Sequence, residues 1–144
     1  MPRERGSDLM LLILRVVVGG FLMAHGAHKV PMLGEFSDAL AKKGFPAPDV
    51  FAFLAMLGEL GGGLSLLLGA LTRLGAFGAA TVMLVAVLST HLGDAPNIGG
   101  AGGSKFEYPF LLMVAALVIG IGGPGRFSLD ALWHRLVRTS RADG

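Results

Sequence analysis

At 144 residues the chain is too short for two ordinary domains, and it is 53% apolar by composition with only 15% charged residues. Soluble domains carry nearer to roughly a quarter charged, so the balance argues against a water-soluble globule and makes the bilayer the first solvent to consider. The net charge of +2 rests largely on arginines near the ends, which suits membrane topology and not a nucleic-acid surface.

The first apolar run, Leu9 to His28, rises about 30 Å as an α-helix, the thickness of a bilayer core. Its internal Arg15 and the lack of an Ala-X-Ala exit speak against a cleaved signal peptide. A second span is predicted over 50–71 despite Glu59 and the triplet Gly61, Gly62 and Gly63, and a third over 74–93, which leaves Thr72 and Arg73 for the turn between them. The fourth, 108–123, is short, with Phe106, Tyr108 and Phe127 expected at its interfaces. Pro109 suits its first turn, and Gly122-Gly123-Pro124-Gly125 is its stop. In 127–138, Leu129, Leu132, Trp133, Leu136 and Val137 share one face behind a Ser128 cap, the pattern of an amphipathic helix lying on a membrane.

The predicted fold is all-α: an integral membrane four-helix bundle, one domain over 1–144, with an additional C-terminal amphipathic helix. Glycine, at 23 residues without a Gly-X-Y period, favours closely approaching helices. Arg3, Arg5, Arg73, Arg126, Arg135, Arg138 and Arg141 fall on one side of the four spans, and Lys29, Lys42, Lys43 and Lys105 on the other. That excess places both termini in the cytoplasm of a multi-pass protein. The segments 29–49 and 94–107 then become outer loops, the second glycine-rich enough to act as a mobile cover.

Glu59 is expected near the bilayer midplane, where a carboxylate must be neutral, paired or exposed to a polar cavity. It either handles protons or anchors a ligand, or it fixes helix packing through a structural bond. Arg15 either snorkels or reaches Glu59. His25 and Lys29 share one helical face, His91 closes the third helix and Glu107 opens the fourth. With Glu59 beneath them they form one polar rim, unless each is simply solvated at a helix end. No spacing suggests a metal site, the loop 99–105 lacks the phosphate-cradle pattern, and the absence of cysteine removes thiol chemistry of the chain's own.

Taken in order, Arg15, Gly20-Phe21, His25-Gly26, Lys29, Gly44-Phe45-Pro46, Glu59, Gly62-Gly63, Leu67-Leu68-Gly69, Thr72-Arg73, Glu107-Tyr108-Pro109, Leu111-Leu112 and Gly123 to Asp130 resemble the DoxX family of small four-helix bacterial membrane proteins. The family is similar to the membrane subunit of thiosulfate:quinone oxidoreductase. The resemblance implies a bacterial inner-membrane location and carries the family's charged signature onto Arg15, His25, Lys29, Glu59, Arg73, Glu107, Arg126 and Asp130. With the rim residues it leads to the expectation of no intrinsic cofactor and of either a bound quinone, at Arg15, His25, Lys29, Glu59, His91 and Glu107, or an oxidoreductase partner docked through the polar cluster around Glu59, with Arg73, Arg126 and Asp130 as partner or structural residues. Partners are other membrane subunits or a peripheral redox protein, together with membrane lipid. The competing expectation is a non-catalytic assembly subunit, in which an interface glycine such as Gly78 docks the larger complex.

Overall fold

The computed structural model describes residues 5–91 and 106–142, with the side chains of 90–91 and 139–142 outside the description. Helix α1 runs Arg5–Lys29 and continues through a short 3₁₀ turn, Val30–Met32, into α2, Leu33–Lys42. Then follow α3, Pro48–Leu68, and α4, Thr72–Ala86, which ends in a π-helical turn, Val87–His91. The chain closes with α5, Glu107–Gly122, and α6, Leu129–Ala142.

The four apolar helices pack in a ring. α1 lies against α3, α3 against α4 and α4 against α5, while a thinner contact between α1 and α5 closes the circle and α2 lies on α3. The core joins Val18 and Leu22 of α1, Leu66 of α3, Ala76, Ala79, Ala80 and Met83 of α4, and Leu112, Ala116 and Ile119 of α5. Much larger apolar side chains face outward, among them Ile13, Phe53, Leu57, Leu88, Val118 and Ile121. A surface so apolar is stable against lipid tails and costly against water.

Without a hydrophobic force between helices in lipid, close backbone contact has to supply the packing. At the crossing of α1 and α3 a methyl group on Gly19 would sit 2.8 Å from the Gly63 carbonyl oxygen, and one on Gly63 would sit 2.9 Å from that of Gly19. Only glycine allows this approach.

α1, α3 and α4 continued through its π-helical turn to Ser89 are long and apolar enough to cross a membrane. At 16 residues, α5 is only about 24 Å long and completes the bundle as a shorter apolar helix. Its stop is where glycine and proline placed it: α5 ends at Gly122, and Gly123 takes φ +80°.

Two boundaries differ from the sequence reading. The segment 29–49 is not simply a loop, because 33–42 folds as α2, with Leu40 and Ser37 buried and the Ser37 hydroxyl donating to Asp49 at the start of α3 (2.5 Å). The hairpin between α3 and α4 turns at Gly69-Ala70-Leu71, and Thr72 and Arg73 already belong to the first turn of α4. Gly69 takes φ +67° and Leu71 φ +50°, a left-handed pair that ends one helix and starts the next. Most of the glycine-rich segment 94–107, expected as a cover, lies outside the described residues.

Candidate functional site

Polar side chains gather at two levels of the bundle. The first is the termini end, where α1 begins and α6 follows α5. Arg15, only 1% exposed, points to this end and away from Glu59. Its Nε donates to the Leu66 carbonyl (2.9 Å), and one terminal nitrogen donates to the carbonyls of Pro124 (2.5 Å) and Phe127 (3.1 Å). Arg15 therefore neither snorkels nor reaches Glu59, because three carbonyls freed by helix ends and by Pro124 offer a better set of acceptors than a distant carboxylate.

Much of the rest of this end is bonded in the same manner, although one Asp8 oxygen and the Thr72 hydroxyl make no hydrogen bond among the described residues. Leu71 stands at the N-cap of α4 and has no side chain to satisfy the first amides. Asp130 of α6 supplies the cap from a distance, accepting from the amides of Leu71 (2.8 Å) and Thr72 (2.9 Å), while its own amide donates to Gly69 (2.9 Å). Ser128 caps α6 as expected, accepting from the Ala131 amide at 3.1 Å. Buried Asp8 accepts from the Arg126 amide at 3.1 Å. Arg73 lies along the end of α5, where a methyl on Gly123 would meet its guanidinium at 3.6 Å.

The second level is the opposite, loop end. Glu59, 2% exposed, stands in the middle of α3 and forms an ion pair with Lys29, which reaches down from the last turn of α1. The Lys29 side chain is 25% exposed, and its ammonium sits 4.9 Å from the centre of the Phe36 ring on α2, a cation–π distance. The second Glu59 oxygen and the Tyr108 hydroxyl are buried and make no hydrogen bond among the described residues. The His25 and Tyr108 rings stack at 4.6 Å with a 31° tilt, and Phe21 meets Tyr108 edge-on at 6.1 Å.

Beside these groups is a cavity of about 530 Å³ lined by residues of α1 to α5, including His25, Lys29, Glu59 and Tyr108 at its polar side. That volume lies in the range of small-molecule sites, and the mainly apolar wall with a few convergent polar groups is their usual chemistry. Lys29, Tyr108 and one tautomer of His25 can each donate a hydrogen bond, and the free Glu59 oxygen can accept one.

The expected rim is thus assembled in part. His25, Lys29 and Glu59 come together, and Glu107 sits one residue from the site in the first turn of α5 without lining the cavity. The side chain of His91 lies outside the described residues. Tyr108 belongs to the cluster but reads in the sequence as an interface anchor. The available signal was its rarity, since it is the single tyrosine of the chain and stands at the apolar entry to α5. No group of His, Asp and Glu able to hold a metal ion occurs among the described residues.

A family model described as DoxX matches residues 10–92, more than half of the chain and all the elements that build Lys29 and Glu59 into one site. The chain belongs to the DoxX family. It is a multi-pass integral membrane protein of that family, with three helices long enough to span and α5 beside them. The chain is 28% identical over 138 residues to a Haemophilus influenzae protein described only as uncharacterized, a match covering 93% of this DoxX chain and 89% of that relative. It is also 28% identical over 132 residues to the inner membrane protein YqjF of Escherichia coli, covering 90% and 95% of the two chains. No solved structure matches.

Proposed function

We propose that this DoxX chain is an inner-membrane subunit of a redox-linked complex, with both termini in the cytoplasm, and that it holds a lipophilic quinone in the cavity at Glu59. The observation that carries this reading is a cavity of ligand size whose polar side ends in a buried ion pair, with a Glu59 oxygen and a phenol left without partners. Buried polar atoms are rarely left unpaired without cause. A flat ring with two carbonyl oxygens fits the donor set, because it accepts from Lys29, His25 or Tyr108 while its faces pack on the aromatic and aliphatic wall.

When bound, a quinone takes up two electrons and two protons. This chain's part is to bind and orient the ring and to keep proton-handling groups beside it: His25, whose imidazole can donate or accept a proton, and Glu59, held at mid-bundle by Lys29. The electrons come from a partner, and the surface offers places for one. Gly61 and Gly78 are exposed, and nothing lies within 4 Å of where their side chains would be, so another helix can come close there. α6 offers a second contact, where Trp133 and Leu132 stand out beside Arg135 and Arg138.

The test is saturable binding of a radiolabelled, tail-less benzoquinone to the full chain in lipid nanodiscs. Tyr108→Phe is expected to weaken it about fivefold, the value of one hydrogen bond, and Glu59→Gln to weaken it further. Uptake by the wild-type chain no greater than by protein-free nanodiscs would sink the proposal. If the chain only supports assembly, Gly78→Leu will release the co-purifying complex while quinone never binds.

A further inference from the structure

The cavity is asymmetric in a way the quinone reading does not use. The groups free to bond a ligand, on Lys29, His25, Glu59 and Tyr108, belong to α1, α3 and α5, while α4 contributes a largely apolar lining beside residues of α3. The two helices touch where Gly58 admits Val82, since a methyl on Gly58 would fall 2.5 Å from a Val82 methyl carbon. Beyond that contact the two helices line the cavity with the small residues Ala55 and Ala86 and with Leu54 and Val85.

Part of this lining is also outer surface of the apolar helices. Leu54 and Val85 line the cavity and are yet 52% and 40% exposed. Two hydroxyls also line this wall, but both are already bonded within α4: Thr81 donates to the Phe77 carbonyl (2.8 Å) and Ser89 to that of Val85 (2.5 Å). Among the described residues this side therefore offers no free donor and matches an apolar chain. At the loop end, Phe36 and Leu40 of α2 cover the cavity.

We propose that the cavity is filled sideways from the bilayer, by an amphiphile whose flat polar head reaches Lys29, His25 and Tyr108 while its hydrocarbon chain leaves between α3 and α4 past Leu54 and Val85. The inference rests on the quinone reading and adds to it the route and the form of the ligand. A long prenyl chain has no room beside a ring within about 530 Å³, so it has to stay in lipid. The open side of the cavity lets it do so.

The experiment compares two ligands on the full chain in nanodiscs, a tail-less benzoquinone and a long-prenyl quinone, with Leu54→Trp/Val85→Trp narrowing the mouth and Leu54→Ala/Val85→Ala widening it. The wild-type chain should bind both. The tryptophan variant should keep the tail-less ligand and lose the long-prenyl one by about tenfold or more, while the alanine variant should release the long-prenyl ligand faster. Size-exclusion profiles identify any variant that fails to fold, and the alanine variant then decides. Exclusion of the long-prenyl quinone by the wild-type chain would overturn the side entry, as would long-prenyl binding and release that stay unchanged in the folded variants. Failure of both ligands to bind the wild-type chain would instead remove the quinone reading, and the side entry with it.

Discussion

Arg15 at the termini end and the Lys29–Glu59 pair at the loop end are both buried charges inside one small bundle, yet their surroundings are opposite. Around Arg15 three carbonyls from α3 and the α5–α6 link converge on the guanidinium, and the space is so full that a methyl on Gly69 would lie 2.2 Å from it. Around Glu59 one oxygen is paired, the other is not, and a cavity adjoins. A buried charge alone does not mark a site. What separates a structural charge from a candidate binding group is whether the protein itself has answered its hydrogen-bonding needs.

The comparison fails most visibly if Arg15 proves dispensable. Arg15→Met removes three hydrogen bonds from a charged donor and leaves buried carbonyls without partners, which should cost on the order of 4 kcal/mol. The expected outcome is a steep fall in thermal stability in detergent, with the folded fraction still binding quinone normally. Wild-type stability in this variant would mean that the termini end is not the lock of the fold. Lost binding with an intact fold would mean that the two ends are not separate in function.

At the loop end the expected effects on stability are smaller and those on binding larger. Glu59→Leu leaves Lys29 unpaired, but Lys29 is already a quarter exposed and can turn outward, so a loss of about 1 to 2 kcal/mol is expected. Adding Lys29→Met should recover that loss, because an ion pair replaced by apolar groups of similar size is often neutral or stabilising. Both variants should fail to bind quinone. A double variant that remained strongly destabilised would show that this pair too is chiefly structural, which thermal unfolding of the four members of the cycle decides.

Much of this division could be read from the sequence, and some of it could not. The spans, the stop at Gly122-Gly123, the Ser128 cap and the placing of Glu59 within a span all follow from local pattern. The partners of Arg15 do not, because they are backbone carbonyls 51, 109 and 112 residues away, and a carbonyl has no residue type to recognise. α2 was missed for a different reason. Its ten residues include Glu35, Asp38 and Lys42, which read as a polar loop until α3 offers a surface for Leu40 and Ser37. Periodicity could bring Lys29 and Glu59 to the same region, but only helix packing through Gly26 on Leu60 sets them in contact.

The smallest expected effect tests how the termini end is fastened, through Asp130. Burial raises its affinity for a proton, but the amide of Thr72, the amide of Leu71 and the charge of His134 outweigh this and hold the carboxyl below its ordinary range. A group lowered in this way stabilises the folded state fully above the ordinary carboxylate range, and the contribution disappears as the pH falls through the folded value. Asp130→Asn should therefore lower stability at neutral pH by about 1 kcal/mol, the usual value of a helix cap. It should also flatten the acid limb of the melting curve relative to wild type, with quinone binding unchanged. Equal acid sensitivity in the two proteins would show that the Asp130 cap does not carry the acid lability of this end.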